Sequence, residues 1–194
     1  MDLKQLRAKA EQLKGQRSQL QKQLKEARHS YVSAFRSLKA TEEARAFIQK
    51  VAAQTQEQIR FHITDLGSMA LEAVFGPGIQ LGLDFEEKRG KTEARLCFVR
   101  GEERTDPLEA DSGGASDIAA FALRCSLLMI QRPVPRKLLV LDEPFKNIND
   151  PTREMHRKAA EMVKEISQRL VIQFIIVTML PELAEVADKV FTIR

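Results

Sequence analysis

The amino-acid sequence predicts an α/β domain with a long N-terminal coiled-coil helix. Three observations support this prediction. Apolar heptads fill the N-terminal quarter, two alternating apolar runs near the middle indicate a β-hairpin, and two short apolar runs in the C-terminal third flank an amphipathic helix. Short, continuously apolar strands joined by a helix are typical of a parallel sheet, in which they form a βαβ unit. The 194 residues suffice for one sizeable domain and an extension.

The N-terminal segment carries a 3.5-residue apolar repeat over residues 3–48. With Leu3 at heptad position a, eleven of the fourteen a and d positions are Leu, Ile, Tyr or Ala, and Arg17, Thr41 and Arg45 are polar. A repeat held over several heptads favours a coiled coil over a globular helix. We assign residues 1–60 to the coiled-coil helix and residues 61–194 to the α/β domain. The partner helix is either a second copy of this chain or a different chain.

Basic residues concentrate in the same arm. Residues 1–40 contain ten Lys or Arg and three acids, a net charge of +7, whereas the whole chain carries +4. Such an excess suits contacts with the phosphates of duplex DNA, without base readout. The alternative is a solvated coiled-coil face, since coiled coils need charged flanks. The candidate DNA contacts off the apolar seam are Lys4, Lys14, Lys22, Lys25, Arg28 and Arg36.

Composition excludes several classes of protein. Hydrophobic residues make up 43% and charged residues 30%, which is typical of a globular protein and not of a disordered one. No apolar run reaches the ~18 residues of a membrane helix, and the polar first residues lead us to expect no signal peptide. Cys97 and Cys125 lie far apart without a CxxC motif. We therefore expect no zinc site, no disulfide and a cytoplasmic location.

The remaining elements follow from periodicity and from breakers. The helical pattern of the arm continues to residue 75 and ends at Gly76-Pro77-Gly78. We expect a polar loop over residues 100–111. Further helices are predicted at 118–130, 151–168 and 181–187. Strands are predicted at 79–87, 92–99, 137–141, 170–177 and 189–193.

Two carboxylates follow the first apolar strand of the C-terminal third. Leu138–Leu141 is followed at once by Asp142, Glu143 and Pro144. The carboxyl end of a parallel strand is where α/β sheets bind their ligands. Asp142 there suits Mg²⁺, and Glu143 suits the deprotonation of a water that attacks a phosphoryl group. Two solvated acids that end a strand are the alternative, but the aliphatic run and the Pro favour a Walker B motif.

A glycine pair precedes the predicted helix at 118–130. Ser112, Gly113 and Gly114 stand about thirty residues before the Walker B strand. Two glycines let backbone N–H groups approach a phosphate closely, and a helix N-terminus adds a partial positive charge. The alternative is an ordinary helix start with Ser116 or Asp117 as the N-cap.

The order SGG, helix, LLVLDEP, helix, strand resembles the C-terminal half of an ABC-type ATPase head. More narrowly, it is similar to the SMC and SbcC class of DNA-repair ATPases. Small phage-encoded relatives are closest, through AAFALR at 119–124, LDEPFK at 141–146 and QFIIVT at 173–178. The resemblance covers residues 64–194, and the basic arm fits the coiled coil that enters such a head. It implies a half-head with a βαβ core and a β-hairpin, in a bacterial or phage-infected cell.

The resemblance also implies roles for individual residues. Ser112–Gly114 would be the signature motif, which reaches the γ-phosphate of a nucleotide on another head. Asp142 would hold Mg²⁺, Glu143 would be the general base, and Asn149 would lie in the D-loop, residues 146–150. The implied cofactors are ATP and Mg²⁺. The implied partners are a lobe that carries Walker A, another copy of this chain, an SbcD-type nuclease and duplex DNA, with no membrane.

The sequence departs from the family pattern at several positions. No GxxxxGK[ST] motif is present, so the Walker A loop is absent. The residues that flank the SGG, Asp111 and Ala115, differ from those usual in the family. Asn149 replaces the D-loop aspartate. Met179 replaces the switch histidine, and we expect its side chain to pack against the protein. Two functions are therefore open. The chain is either the C-terminal lobe of a split ATPase, inactive alone, or a non-catalytic homologue that dimerises and binds DNA or protein.

Overall fold

The computed structural model describes residues 3–88, 91–107, 109 and 114–192. The chain divides into two compact units, Met1–Gln54 and Thr55–Arg194. Within the described residues, no helix is long and apolar enough to cross a membrane.

The first unit is the N-terminal part of one helix, α1, which runs from Leu3 to Phe75. The predicted helix is confirmed, including its end before Gly76, whose φ of +81° no longer fits a helix. Every residue from 3 to 54 is exposed. The large seam residues are among them, namely Leu3, Leu6, Leu13, Leu20, Leu24, Tyr31, Leu38 and Ile48. The seam is therefore an apolar stripe that is open to a partner helix.

The second unit begins with the end of α1, which contacts a three-stranded antiparallel sheet. The strands β1 (Gln80–Lys88), β2 (Lys91–Arg100) and β3 (Glu103–Thr105) pair in that order. The Ser68 hydroxyl accepts a hydrogen bond from the amide of Leu81 at 3.0 Å, which joins helix to sheet. The predicted hairpin is confirmed by β1 and β2.

The strand β3 contradicts the predicted loop over residues 100–111. A tight turn at Gly101, with φ +61°, returns the chain so that Arg100 pairs with Glu103. The ion pair between Arg104 and Asp84 joins β3 to β1 across the sheet. Three polar residues on a sheet edge show no apolar alternation, so the strand signal is missing from the sequence.

The C-terminal part of the second unit is built on a parallel strand pair. Here α2 (Ala115–Ile130) is followed by β4 (Leu138–Asp142), α3 (Glu154–Leu170), β5 (Gln173–Val177) and α4 (Pro181–Val186). The register runs from Leu138 opposite Gln173 to Asp142 opposite Val177. The predicted strand–helix–strand order is confirmed. One buried core includes residues of α1, both sheets and these helices, with Leu71, Ile118, Phe121 and Ile166 among its most buried side chains.

The β4–β5 pair is buried on one face only, although a continuously apolar sequence is typical of a parallel strand that is buried on both faces. Phe174 on the inner face contacts Phe121 of α2, with ring centroids 5.4 Å apart. The outer face, by contrast, carries the exposed Asp142 and Gln173 and four aliphatic residues, Leu138, Val140, Ile175 and Val177, whose exposed fractions are 38%, 66%, 49% and 56%. We call these four residues the open face. These residues are apolar, as the strand prediction requires, but no described residue of the second unit buries them.

The predicted strand at 189–193 is wrong over its described residues, 189–192, which form no strand. A strand requires a neighbour with free backbone groups, and none is paired with this segment. Val190 and Phe191 are exposed, and the Lys189 ammonium lies 4.8 Å from the centre of the Phe191 ring. Ile193 lies outside the described residues.

Asp150 should make the stability of the second unit depend on pH. Its carboxylate accepts hydrogen bonds from the Thr152 hydroxyl at 2.6 Å and from the Met155 amide at 2.6 Å, at the start of α3. These bonds lower the pKa of Asp150 below 3.8. A lowered folded-state pKa stabilises the fold above the unfolded value, and the contribution disappears as pH falls through the folded value.

We therefore expect Asp150→Ala to lower the thermal midpoint by a few degrees at pH 7, because the first turn of α3 loses its cap. Circular dichroism melts should show this difference shrinking steadily below about pH 4. Glu161→Ala removes an exposed acid from the middle of the same helix and is the control. An equal loss for both variants, or a pH-independent loss, would contradict the capping role.

Candidate functional site

The carboxylates of the DEP motif lie at the carboxyl end of β4, as predicted. Asp142 is exposed and stands opposite Val177 in the parallel pair. Glu143 is half-buried, and its amide donates a hydrogen bond to the carbonyl of Val177 at 2.8 Å, one step beyond the ladder. Its φ of +43° is in the left-handed region, which L residues seldom adopt. Such backbone strain is found mainly at functional sites, and here it turns the chain sharply after Asp142.

The loop after Glu143 is anchored on α2 by an aromatic side chain. Phe145, also at positive φ (+68°), is fully buried. Its ring meets that of Phe121 edge to face, with centroids 5.5 Å apart. The amide of Ile148 then donates to the carbonyl of Phe145 at 3.2 Å, which closes a turn. Burial of these side chains holds the loop against the helix.

The glycine motif is described only at its last residue, because Ser112 and Gly113 lie outside the described residues, as does Asp111. Gly114 is buried and has φ +102°. A Cβ at this position would stand 2.7 Å from the Cα of Ile148 and 2.5 Å from its Cγ1. Gly114 is therefore required by its conformation and by the close approach of the loop after Glu143. This brings Gly114, the last residue of the glycine motif, against the loop that follows the DEP residues.

The alternative N-cap roles of Ser116 and Asp117 are wrong. The N-cap of α2 is Gly114, which has no side chain to form a cap hydrogen bond. The Ser116 hydroxyl instead donates to the carbonyl of Pro107 at 2.8 Å. Asp117 accepts from the Asn147 amide at 3.1 Å and from the Asn147 side-chain Nδ2 at 3.0 Å.

Sequence reasoning missed this Asp117–Asn147 pair. The two residues are thirty positions apart, and neither belongs to a motif that predicts the contact. The only local signal was an acid in the first turn of a helix, and that signal is equally typical of capping and of a favourable helix dipole.

Residues 146–150 contain both solvent-exposed side chains and one that is hydrogen-bonded within the fold. Lys146 and Asn149 are exposed, whereas the Asp150 carboxylate is engaged at the start of α3. Of the neighbours Asn149 and Asp150, Asn149 is therefore the one whose side chain faces solvent. Met179, expected to pack, is instead 89% exposed just after β5, at the same end of the sheet as Asp142.

The described residues include neither a cluster of metal ligands nor a reactive thiol. Among the described residues, no group of three or more His, Cys, Asp or Glu side chains could hold a metal ion. A single exposed carboxylate at Asp142 nevertheless suits Mg²⁺, which commonly takes one or two carboxylates and completes its shell with water and phosphate oxygens. Burial raises the pKa of the Cys125 thiol to about 12, and burial also raises that of Cys97, so neither is a thiolate at neutral pH.

Comparison with known proteins identifies this architecture. No protein-family description matches the sequence, and no characterised protein is significantly similar to it. Solved structures do match. An SMC head bound to the C-terminal winged-helix domain of ScpA has a TM-score of 0.51 and 20% identity, over 66% of this chain and 37% of that one.

Two further structures agree. One, from work on ATP-driven dimerisation and DNA-stimulated activation of SMC ATPases, has a TM-score of 0.53 and 20% identity, over 73% of this chain and 79% of that one. The Smc head domain with a coiled coil and joint from Pyrococcus yayanosii has a TM-score of 0.52 and 22% identity, over 72% and 25%.

This chain spans little more than a third of the first of these proteins, and identities near 20% establish the fold alone. The mixed α/β architecture and the long N-terminal helix are both accounted for by these neighbours. The chain therefore has the fold of part of an SMC head with its coiled-coil helix.

Proposed function

We propose that this chain is the C-terminal lobe of a split ATPase of the SMC and SbcC class, related to phage-encoded proteins and acting in DNA repair, recombination or replication. A separate polypeptide would supply the Walker A loop. In the completed site, Asp142 would hold Mg²⁺ and Glu143 would act as the general base. Ser112, Gly113, Gly114 and Asn149 would contact nucleotide at the interface with another head.

The open face of the β4–β5 pair is the observation that carries this proposal. Parallel sheets occur almost only with both faces covered, because their strands are apolar on both sides. Here the inner face is packed and the outer face leaves Val140 66% exposed. A two-stranded parallel sheet with one bare face is incomplete, so a second body is expected to cover it. A lobe that brings further strands or a helix to this face would complete the sheet.

The site geometry also suggests where that lobe would bind. Side chains alternate between the faces of a strand, so Asp142 follows Val140 on the same face of β4. A lobe seated on Val140 and Ile175 would therefore reach the Asp142 carboxylate. A Walker A loop on it could place phosphate oxygens beside Asp142.

The chain's own residues have definable tasks in such a reaction. ATP with Mg²⁺ would supply the phosphoryl group and its charge neutralisation. Asp142, exposed at the strand end, would bind the metal, and Glu143, turned by its positive φ, would orient a water and take its proton. The N-terminal end of α2 would direct backbone N–H groups toward phosphate.

A non-catalytic homologue is the second candidate function. The missing phosphate loop and the exposed Met179, which lacks the hydrogen-bonding capacity of a histidine, favour it. In that case the coiled coil and the open face would serve assembly alone, with DNA or with a protein. An SbcD-type nuclease is a candidate partner under either function, and one SMC neighbour is itself bound to a winged-helix domain.

The isolated chain should show no ATP turnover above background, because it has no phosphate-binding loop. Turnover should arise on addition of a Walker A lobe encoded by a neighbouring gene. Glu143→Gln should then lower kcat by about 10²–10⁴-fold, the usual contribution of a general base. A phosphate-release assay measures both.

The open face provides the matching controls. Val140→Glu should abolish binding of that lobe and turnover together, whereas Val134→Glu, at an exposed valine in a loop, should leave both unchanged. Turnover by the isolated chain that Glu143→Gln removes would refute the split-lobe proposal.

The seam of α1 should mediate pairing with another helix. Leu13 and Leu20 are both d residues and both exposed, so replacing them with Asp places charges in the apolar seam. We expect the double variant to be a folded monomer in analytical ultracentrifugation at about tens of micromolar, with the wild type associated. Gln12→Asp with Gln19→Asp adds the same charge at c positions and should leave association intact. A wild type that is already monomeric would leave only pairing with a different chain.

The basic arm should bind duplex DNA weakly and without sequence preference. Its Lys and Arg side chains are exposed and can contact phosphates. Changing Lys22, Lys25, Arg28 and Arg36 to Gln should weaken binding and reduce the salt slope by about 3.6, since each phosphate contact contributes about 0.9. Fluorescence anisotropy at several salt concentrations measures this. If binding is unchanged by these substitutions and is lost with Lys88→Gln and Lys91→Gln, the hairpin end is the DNA site instead.

A further inference from the structure

The Asp117–Asn147 pair, unlike the apolar contacts around it, is a directed polar contact between α2 and the DEP loop. One carboxylate oxygen accepts the backbone N–H of Asn147 at 3.1 Å, and the other accepts its side-chain Nδ2 at 3.0 Å. Both acceptor atoms of Asp117 are thus used on a single residue. Such a two-point contact fixes orientation as well as distance.

The pair lies between the two motifs. Asp117 is three residues after Gly114, in the first turn of α2, and Asn147 is four residues after Glu143. Ile148, next to Asn147, is the residue whose backbone touches Gly114. Between Glu143 and Asn147 the loop twice adopts positive φ, at Glu143 and Phe145.

The loop needs a polar restraint because its conformation is strained. Residues at positive φ persist only where their surroundings hold them. Phe145 and Ile148 supply apolar anchoring, which is non-directional and would tolerate rotation of the loop. The charge-assisted bonds from Asp117 are the directional component, and they tie the loop to the same helix turn that follows the glycine motif.

We propose that Asp117 is a positioning residue, and that through it Gly114, the first turn of α2 and the loop that carries Glu143 move as one body. The consequence for catalysis rests on the proposed function. A displacement at the start of α2, on contact with a phosphate, would be transmitted through Asp117 and Asn147 to the Glu143 carboxylate.

A charge-exchange series tests this in the isolated chain. Asn147→Asp places a second carboxylate against Asp117 and should break both hydrogen bonds by repulsion. Asp117→Asn should be mild, because the Asn147 amide can turn its oxygen toward the new donor. The double variant restores an acceptor for the backbone N–H and a donor–acceptor pair between the side chains, with the net charge of the wild type.

Hydrogen exchange by mass spectrometry is the readout, on peptides that cover residues 143–148. We expect Asn147→Asp to speed exchange there by about tenfold, and Asp117→Asn to reverse this in the double variant. Gln168→Glu, an added charge at an exposed position of α3, is the control. No acceleration in Asn147→Asp, or none that Asp117→Asn reverses, would overturn the proposal.

Kinetics with the Walker A lobe separates positioning from mere structure. We expect Asn147→Asp to lower kcat with little change in KM for ATP, and the double variant to recover kcat. Faster exchange with unchanged kcat would overturn the positioning role. A wild-type complex that turns over no ATP would refute the proposed function, and the exchange series would then decide the mechanical coupling by itself.

Discussion

The apolar character of both faces of the β4–β5 pair is the constraint on which the rest of the second unit depends. The inner face packs Phe174 against α2, and the parallel register places Leu139 of β4 opposite Phe174, three residues before Asp142 at the end of the strand. The outer face carries four aliphatic side chains that no described residue buries. A strand whose sequence is apolar on both sides is suited to a parallel sheet inside a larger body. The carboxylates thus lie at the rim of an unfinished surface, where a second lobe would also reach them.

Residues at the start and in the middle of α2 connect Gly114 of the glycine motif to the loop that carries Glu143. Phe121 lies on α2 and touches both Phe145 of the loop and Phe174 of β5. Gly114 admits the Ile148 backbone, and Asp117 holds Asn147. Apolar burial supplies the energy of this junction, and the hydrogen bonds supply its direction. The strained loop at Glu143 is therefore supported from one helix.

The sequence predicted the elements that have a regular apolar spacing and missed the elements and contacts that depend on residues distant in the chain. Helical periodicity and the breaker at Gly76-Pro77-Gly78 predicted α1 to its last residue, and alternation predicted the hairpin, because burial of one face sets the spacing of apolar residues. The polar strand β3 and the absence of a strand at 189–192 depend on whether a partner strand is present, which local composition does not encode. For the candidate site, Asp142 and Glu143 were placed at the strand end by the motif. Asp117–Asn147 could not be found, since a hydrogen bond thirty residues apart has no periodic signature.

Electrostatics gives an independent reason why nucleotide binding would need a second chain. Residues 142–150, from the end of β4 onward, include three acids, Asp142, Glu143 and Asp150, and one basic residue, the exposed Lys146. A triphosphate approaching this rim would meet more negative than positive charge, and ionised carboxylates repel phosphate oxygens unless a cation lies between them. The basic excess of the chain is in residues 1–40, which belong to the other compact unit. A partner that brings a lysine and backbone N–H groups, together with Mg²⁺ on Asp142, would reverse this charge balance. The acids that disfavour binding of ATP to this chain alone would then favour the metal-bound nucleotide in a completed site.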